Sequence, residues 1–133
     1  MKTIKKNSRR TRVARIVVHC TGTRPGMRLK QVDALPYHYL VTQGGKLLNL
    51  KPVKDVRKIE IAWLGGLDKF GRHVDNRTPA QSETLFISLL RLTEHNPRVR
   101  ITAADQLYPY GFDNPGFDLM KWLDDYIANI LQA

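Results

Sequence analysis

The chain has 133 residues, 42% of them hydrophobic, a length and composition typical of one soluble globular domain. Its single cysteine excludes an intrachain disulfide, and no apolar run is long enough to span a membrane. The N-terminus also lacks the apolar segment of a signal peptide. We therefore expect cytoplasmic residence by default, with lysis as the available route of release.

Positive charge is concentrated at the N-terminus. The formal net charge is +10, and residues 1–15 hold seven Lys or Arg and no acid. We expect residues 1–13 to form a basic, flexible arm and residues 14–133 to form the folded domain. The arm is interpreted as a solvated segment. Its functional alternatives are attraction to nucleic acid, to anionic cell-wall polymers or to an acidic partner.

Apolar and turn-forming residues predict the order of the secondary structure. Residues 21–36 contain several glycines and prolines and are expected to form a loop with at most one short helical turn. Strands are predicted at about 14–20, 37–42, 46–50, 58–64 and 99–102, and long helices at about 79–95 and 117–131. This pattern predicts a single domain of the α/β (α+β) class, with a central mixed sheet covered by two long helices.

The two helices carry clear sequence signals. Thr78, Pro79 and Gln81 form a capping box with proline at the first helical position. Apolar spacing predicts that Leu90 joins the core face of the first helix. In the last helix the predicted core-facing residues are Leu119, Trp122, Leu123, Tyr126, Ile127, Ile130 and Leu131.

The first strand ends on a histidine. Residues 15–23 read RIVVHCTGT, so the strand would deliver the imidazole of His19 at its tip. One histidine ligates no metal by itself, and from this stretch alone a hydrogen-bonded histidine is the favoured interpretation. A metal site is the alternative.

Four segments resemble the type 2 N-acetylmuramoyl-L-alanine amidases, the zinc enzymes of the phage lysozyme and peptidoglycan recognition protein group. They are IVVHCTGT, PYHYLVTQGGKL, WLGGLDKFGRHVDNRTPAQ and DNPGFDLMKWL, and they occur in the family's order between residues 15 and 125. The resemblance implies the amidase fold and a relation to peptidoglycan. It also implies that the chain is shortened, because residues 21–36 and 52–57 replace longer segments that line the family's substrate groove.

The resemblance assigns roles to individual positions. The first zinc ligand maps onto His19, and a catalytic hydrogen-bond donor maps onto Tyr37. The second and third ligand positions hold Ala104 and Asn114, and Phe112 stands where the enzymes often carry a lysine. A catalytic zinc needs three protein ligands and an open position for water. We therefore expect no bound cofactor and no catalysis.

Several functions remain open at this stage. The favoured one is a degenerate amidase-like domain that binds peptidoglycan fragments (muropeptides) or a protein partner, with Tyr37, Tyr108 and Tyr110 as candidate binding residues. Zinc held by His19 with Asp105 and Asp113 as rearranged ligands would instead make an active cell-wall lysin. The third alternative is an interaction domain that contacts nucleic acid or an acidic partner through the basic arm.

Overall fold

The elements of the fold follow the predicted order along the chain. The computed structural model describes residues 12–26 and 28–132, so residues 1–11 of the predicted arm lie outside the described residues. The strands are β1 (Arg15–Cys20), β2 (Tyr39–Val41), β3 (Leu47–Asn49), β4 (Lys58–Trp63) and β5 (Arg100–Ala103). The helices are α1 (Leu29–Val32), α2 (Pro79–His95) and α3 (Leu119–Gln132), and Ala104–Gln106 forms a single 3-10 turn.

The five strands form one mixed sheet in the order β3-β2-β4-β1-β5. β1 lies between β4 and β5 and runs parallel to both, β2 runs parallel to β4, and β3 is the antiparallel edge strand. Central parallel strands are buried on both faces, which explains the uninterrupted apolar run at residues 16–18. The register places His19 beside Ala62 of β4. The mixed sheet and the α/β class are as predicted.

Both long helices pack on the same face of the sheet. That face is the larger core, in which Ile16 and Val18 of β1 meet Leu85 and Leu89 of α2 and Leu123 of α3. The opposite face has a smaller core, whose buried members are Val32, Tyr37, Leu40, Ala62 and Leu64. Among the helices of the described residues, only the four-residue α1 contributes to that second core, through Val32. The face that carries His19 is therefore covered mainly by loops.

The boundaries of α2 match the prediction, but part of the predicted helix packing is wrong. Leu90 is 44% exposed, and Ile127, Ile130 and Leu131 at the end of α3 are 44%, 52% and 79% exposed. After Leu123, Tyr126 is the only side chain of 124–131 that is partly buried. The helix continues beyond its last packing contact, so its final apolar residues have no sheet beneath them. Within the described residues, no helix is long and apolar enough to cross a membrane.

Candidate functional site

The structure gathers four of the candidate residues around the end of β1. The side chain of His19 is only 3% exposed. Its ring centroid lies 4.9 Å from that of Tyr37, 5.9 Å from that of Tyr108 and 6.4 Å from that of Tyr110. The tyrosines come from the segment before β2 and from the loop after β5. An aromatic enclosure thus surrounds the position of the family's first zinc ligand.

Both ring nitrogens of His19 have partners within the protein. Nε2 lies 3.0 Å from Oε1 of Glu60, and Nδ1 lies 3.4 Å from the hydroxyl oxygen of Tyr110. Glu60 was not identified from the sequence. The alternation of polar and apolar residues in KIEIAW could have identified it, because it places Glu60 and Ala62 on one face of β4. In the sheet these two residues lie next to Val17 and His19 of β1.

Glu60 connects His19 to an exposed lysine. The hydroxyl of Tyr108 donates to Oε1 of Glu60 at 2.9 Å, and the ammonium group of Lys58 donates to the hydroxyl oxygen of Tyr108 at 3.1 Å. The hydrogen bond to Tyr108 raises the pKa of Lys58. The carboxylate therefore accepts two hydrogen bonds on one oxygen, and a cation lies one side chain away. We call the connected set of Lys58, Tyr108, Glu60, His19 and Tyr110 the His19 network.

Burial determines the protonation states in this network. It lowers the pKa of His19 and outweighs the opposing effect of Glu60, so the imidazole is neutral at neutral pH. The N–H group at Nε2 of the neutral imidazole then donates a hydrogen bond to the carboxylate of Glu60. The distance of 3.0 Å between Nε2 and Oε1 would also suit an ion pair, but the imidazole carries no charge. Nδ1 is left to accept from Tyr110. Burial also raises the pKa of Tyr37 and of Tyr110, so both phenols stay protonated.

The third ligand position is part of the backbone scaffold. Oδ1 of Asn114 accepts a hydrogen bond from the backbone N–H of Cys20 at 2.8 Å, and Nδ2 donates to the carbonyl of Cys20 at 3.4 Å. β5 pairs with β1 only as far as Val18 and Ala103. The side chain of Asn114, which is 1% exposed, therefore continues the hydrogen-bonding ladder of β1 where β5 has ended.

The remaining candidate ligands do not complete a metal site. Ala104 is buried and has no donor atom in its side chain. Asp105 accepts a hydrogen bond from the backbone N–H of Asn114 at 3.1 Å, and the exposed Asp113 lines a surface cleft with it. Within the part of the chain that the structure describes, no three His, Cys, Asp or Glu side chains are grouped so that they could hold a metal ion. The donor set does not fit a catalytic zinc.

Two further aromatic rings extend the enclosure towards the surface. The ring of Phe112, at the position of the family's lysine, lies 5.4 Å from that of Tyr110 and stacks on the imidazole of His73 at 4.0 Å and 11°. Tyr110 is 37% exposed. This aromatic strip, defined by Tyr108, Tyr110, Phe112 and His73, presents ring faces and edges to solvent. Rings of this kind can stack on a sugar or on a peptide plane.

Comparisons with known proteins bear on the fold. No protein-family model and no curated protein sequence matches this chain. Among solved structures, the chain is similar to the N-acetylmuramoyl-L-alanine amidase LysC from Clostridium intestinale URNW, at a TM-score of 0.70 and 15% identity over 88% of this chain and 87% of that one. It is also similar to the Ph2119 endolysin from Thermus scotoductus MAT2119 bacteriophage Ph2119, at a TM-score of 0.65 and 18% identity over 86% and 84% of the two chains. The chain therefore has the amidase fold that the sequence resemblance predicts.

Proposed function

We propose that this chain is a non-catalytic domain of amidase fold that binds peptidoglycan fragments without cleaving them. The observation that carries the proposal is the engagement of both imidazole nitrogens of His19 by Glu60 and Tyr110. A zinc ligand needs one of those nitrogens free. The likeness to an amidase and to an endolysin supports peptidoglycan as the class of ligand.

The loss of cleavage follows from the chemistry of amide hydrolysis. An activated water and a stabilised oxyanion are both required, and a zinc ion held by three ligands supplies them in an enzyme of this type. Here Tyr37 keeps a protonated phenol that is only 8% exposed, and the described side chains include no group of three ligands that could hold such a zinc ion. A hydrogen-bond donor alone activates no nucleophile.

Binding is assigned to the exposed part of the aromatic strip. Peptidoglycan fragments combine amino sugars with short peptides, and both present flat or weakly polar faces that pack on aromatic rings. Tyr110 offers its ring at the surface while its hydroxyl stays fixed on His19. Because the His19 network holds the rings of Tyr108 and Tyr110 in place, these rings lose little conformational freedom when a ligand binds.

Sedimentation with purified, insoluble peptidoglycan tests the binding. We expect the chain to sediment with it and the Tyr110→Ala variant to bind about tenfold more weakly, because a hot-spot ring is removed. Tyr110→Phe keeps the ring and should retain most of the binding. Phe70→Ala removes a 67% exposed ring outside the strip and is the matched control. Failure to sediment, or equal binding by all four proteins, would refute the proposal.

Metal content and turnover test the non-catalytic assignment. After exposure to zinc and dialysis, the protein should contain far less than one zinc per chain and should release no soluble fragments from peptidoglycan. If the unmodified protein holds stoichiometric zinc and cleaves peptidoglycan, and if Asp105→Ala or Asp113→Ala abolishes both, the chain is an active lysin with rearranged ligands.

A further inference from the structure

A second surface lies at the end of the sheet opposite to His19. His19 is near the carboxyl end of β1, whereas Val13 precedes β1 and Ile59 lies at the start of β4. At this end the C-terminal half of α2 faces the strands and the segment before β4 across an open cleft. Two adjoining chambers make up this cleft, and both are lined by Val13, Val53, His95 and Asn96. We call it the α2 cleft.

The inner chamber of the α2 cleft is apolar. It has a volume of about 400 Å³, within the range of sites that hold small ligands or single anchoring side chains. Its apolar lining residues are Val13, Tyr39, Leu47, Val53, Ile59 and Leu92. Of these residues, Ile59 is only 2% exposed, whereas Leu47 is 38% exposed. The chamber is thus an opening of the hydrophobic core to solvent.

The rim of the α2 cleft is positively charged. Arg12, Lys54 and Arg98 line the outer chamber of about 740 Å³, and Arg91 lines the inner one. Among the described residues none of these four cations forms an ion pair with a carboxylate. Asp55 is the single acid of the lining, so four positive charges and one negative charge leave a net of +3.

We propose that the α2 cleft binds an acidic peptide segment of a partner protein. The segment inserts one bulky apolar side chain into the inner chamber and places its Asp and Glu side chains against the rim. Two observations together select this ligand. The apolar chamber requires a hydrophobic anchor, and the cations require negative charge beside that anchor.

The number of cations at the rim favours an extended ligand over a small anion. They come from four separate parts of the chain, namely the segment before β1, the loop before β4, the helix α2 and the loop before β5. One phosphate or carboxylate would need only one or two of them. Several carboxylates distributed along a peptide can use all four.

Charge complementarity favours an acidic segment over residues 1–11 of the basic arm as the occupant. Residues 1–11 contain five Lys or Arg and no acid, and they would be repelled by a rim of the same sign. The α2 cleft is also separate from the His19 network, with which it shares no residue. The proposal therefore stands independently of peptidoglycan binding.

Selection from a displayed library of random short peptides tests the proposal with the full-length chain. We expect the enriched peptides to contain one large aromatic or aliphatic residue flanked by at least two Asp or Glu residues. One enriched peptide, made synthetically with a fluorescent label, then serves as the probe for anisotropy titrations. Its affinity should fall as the salt concentration rises, because the rim charges are exposed.

Three variants locate the binding site. Arg91→Glu with Arg98→Glu should weaken binding of the probe by at least about tenfold through charge reversal at the rim. Lys30→Glu with Lys69→Glu makes the same change in net charge on exposed residues outside the cleft and should weaken it by less than about threefold. Val53→Trp fills the chamber and should also prevent binding. A thermal melt confirms that each variant is folded.

Four results would overturn the proposal. The first is enrichment of peptides without acidic residues or without a large apolar residue. The second is unchanged binding by the double arginine variant in its folded state. The third is displacement of the probe by single-stranded DNA at lower concentration than by unlabelled peptide, which would mark a phosphate-binding surface. The fourth is self-association of the chain that the Val53→Trp variant abolishes, which would show that a second copy occupies the cleft.

Discussion

At the level of single residues, a buried imidazole needs partners for both of its nitrogens, and this chain supplies them from its own side chains. In the amidase enzymes that the sequence resembles, a zinc ion serves one nitrogen of the corresponding histidine. Here Glu60 and Tyr110 satisfy the imidazole of His19. The imidazole of His19 therefore needs no metal ion to satisfy its nitrogens, which supports the proposal of a non-catalytic domain.

Asn114 gives the first prediction at this scale. Replacing it with alanine leaves the N–H and C=O groups of Cys20 buried without partners, so Asn114→Ala should lower the free energy of unfolding by about 2–3 kcal/mol. Urea denaturation measures this loss. Asp113→Ala, an exposed neighbour, should change the free energy by less than about 0.5 kcal/mol. Equal effects of the two substitutions would contradict the role assigned to Asn114.

His19 and His38 give a prediction about pH. Burial lowers the pKa of both imidazoles below the ordinary value of 6.5, so in the window below 6.5 the unfolded chain binds more protons than the folded chain. The free energy of unfolding should therefore decrease as the pH falls from about 7.5 to about 5.5. Urea denaturation at both pH values should show a smaller decrease for His19→Asn than for the unmodified protein. An increase in stability on acidification would be inconsistent with neutral, buried imidazoles.

At the level of elements, the sequence predicts those parts whose signals are local. The range of α2 is correct because a capping box and the pair Asn96–Pro97 mark its two ends. The five strands are found at the predicted places because turn residues bound each short apolar run. The loop at 104–118 has no periodicity, and its packing of Tyr108 and Tyr110 around His19 depends on residues about 90 positions away. Only the family resemblance placed these tyrosines near the site.

Gln81 is predicted from the sequence as part of a helix cap, and in the structure it also contacts residues distant in the sequence. Its Oε1 accepts from the N–H of Thr78, as a capping box requires, and its Nε2 donates to the carbonyls of Val41 and Leu64 at the ends of β2 and β4. The box therefore caps α2 and also docks it on the sheet. This second function could not be read from the sequence, because it depends on where the strands end in space.

Substitutions in the capping box separate these two functions. Thr78→Ala removes the helix cap together with an exposed hydrogen bond to the carbonyl of Gln43, and it should cost about 1 kcal/mol of unfolding free energy. Gln81→Ala also leaves two buried carbonyls without this donor and should cost about 2–4 kcal/mol. Urea denaturation of both variants gives the comparison. Equal losses would mean that the contacts of Gln81 with the strands contribute nothing.

At the level of the whole molecule, the excess of positive charge is unevenly distributed along the chain. The chain has 22 basic and 12 acidic side chains, and five of the basic ones lie in residues 1–11. Removing that segment leaves 17 basic and 12 acidic side chains, a net of +5. Part of the remaining excess forms the rim of the α2 cleft, at the end of the sheet away from the aromatic strip. Under the two proposals made above, an acidic peptide and a peptidoglycan fragment would bind at separate regions of the molecule.

Deletion of residues 1–11 tests the role of the basic arm. If the arm contributes charge alone, the melting temperature should change by less than about 2 °C, because no buried apolar area is lost. Elution from a heparin column should move to lower salt, because fewer cations contact the polyanion. Binding to insoluble peptidoglycan should persist if the aromatic strip carries it. A large drop in the melting temperature would instead show that the arm packs on the domain and belongs to the fold.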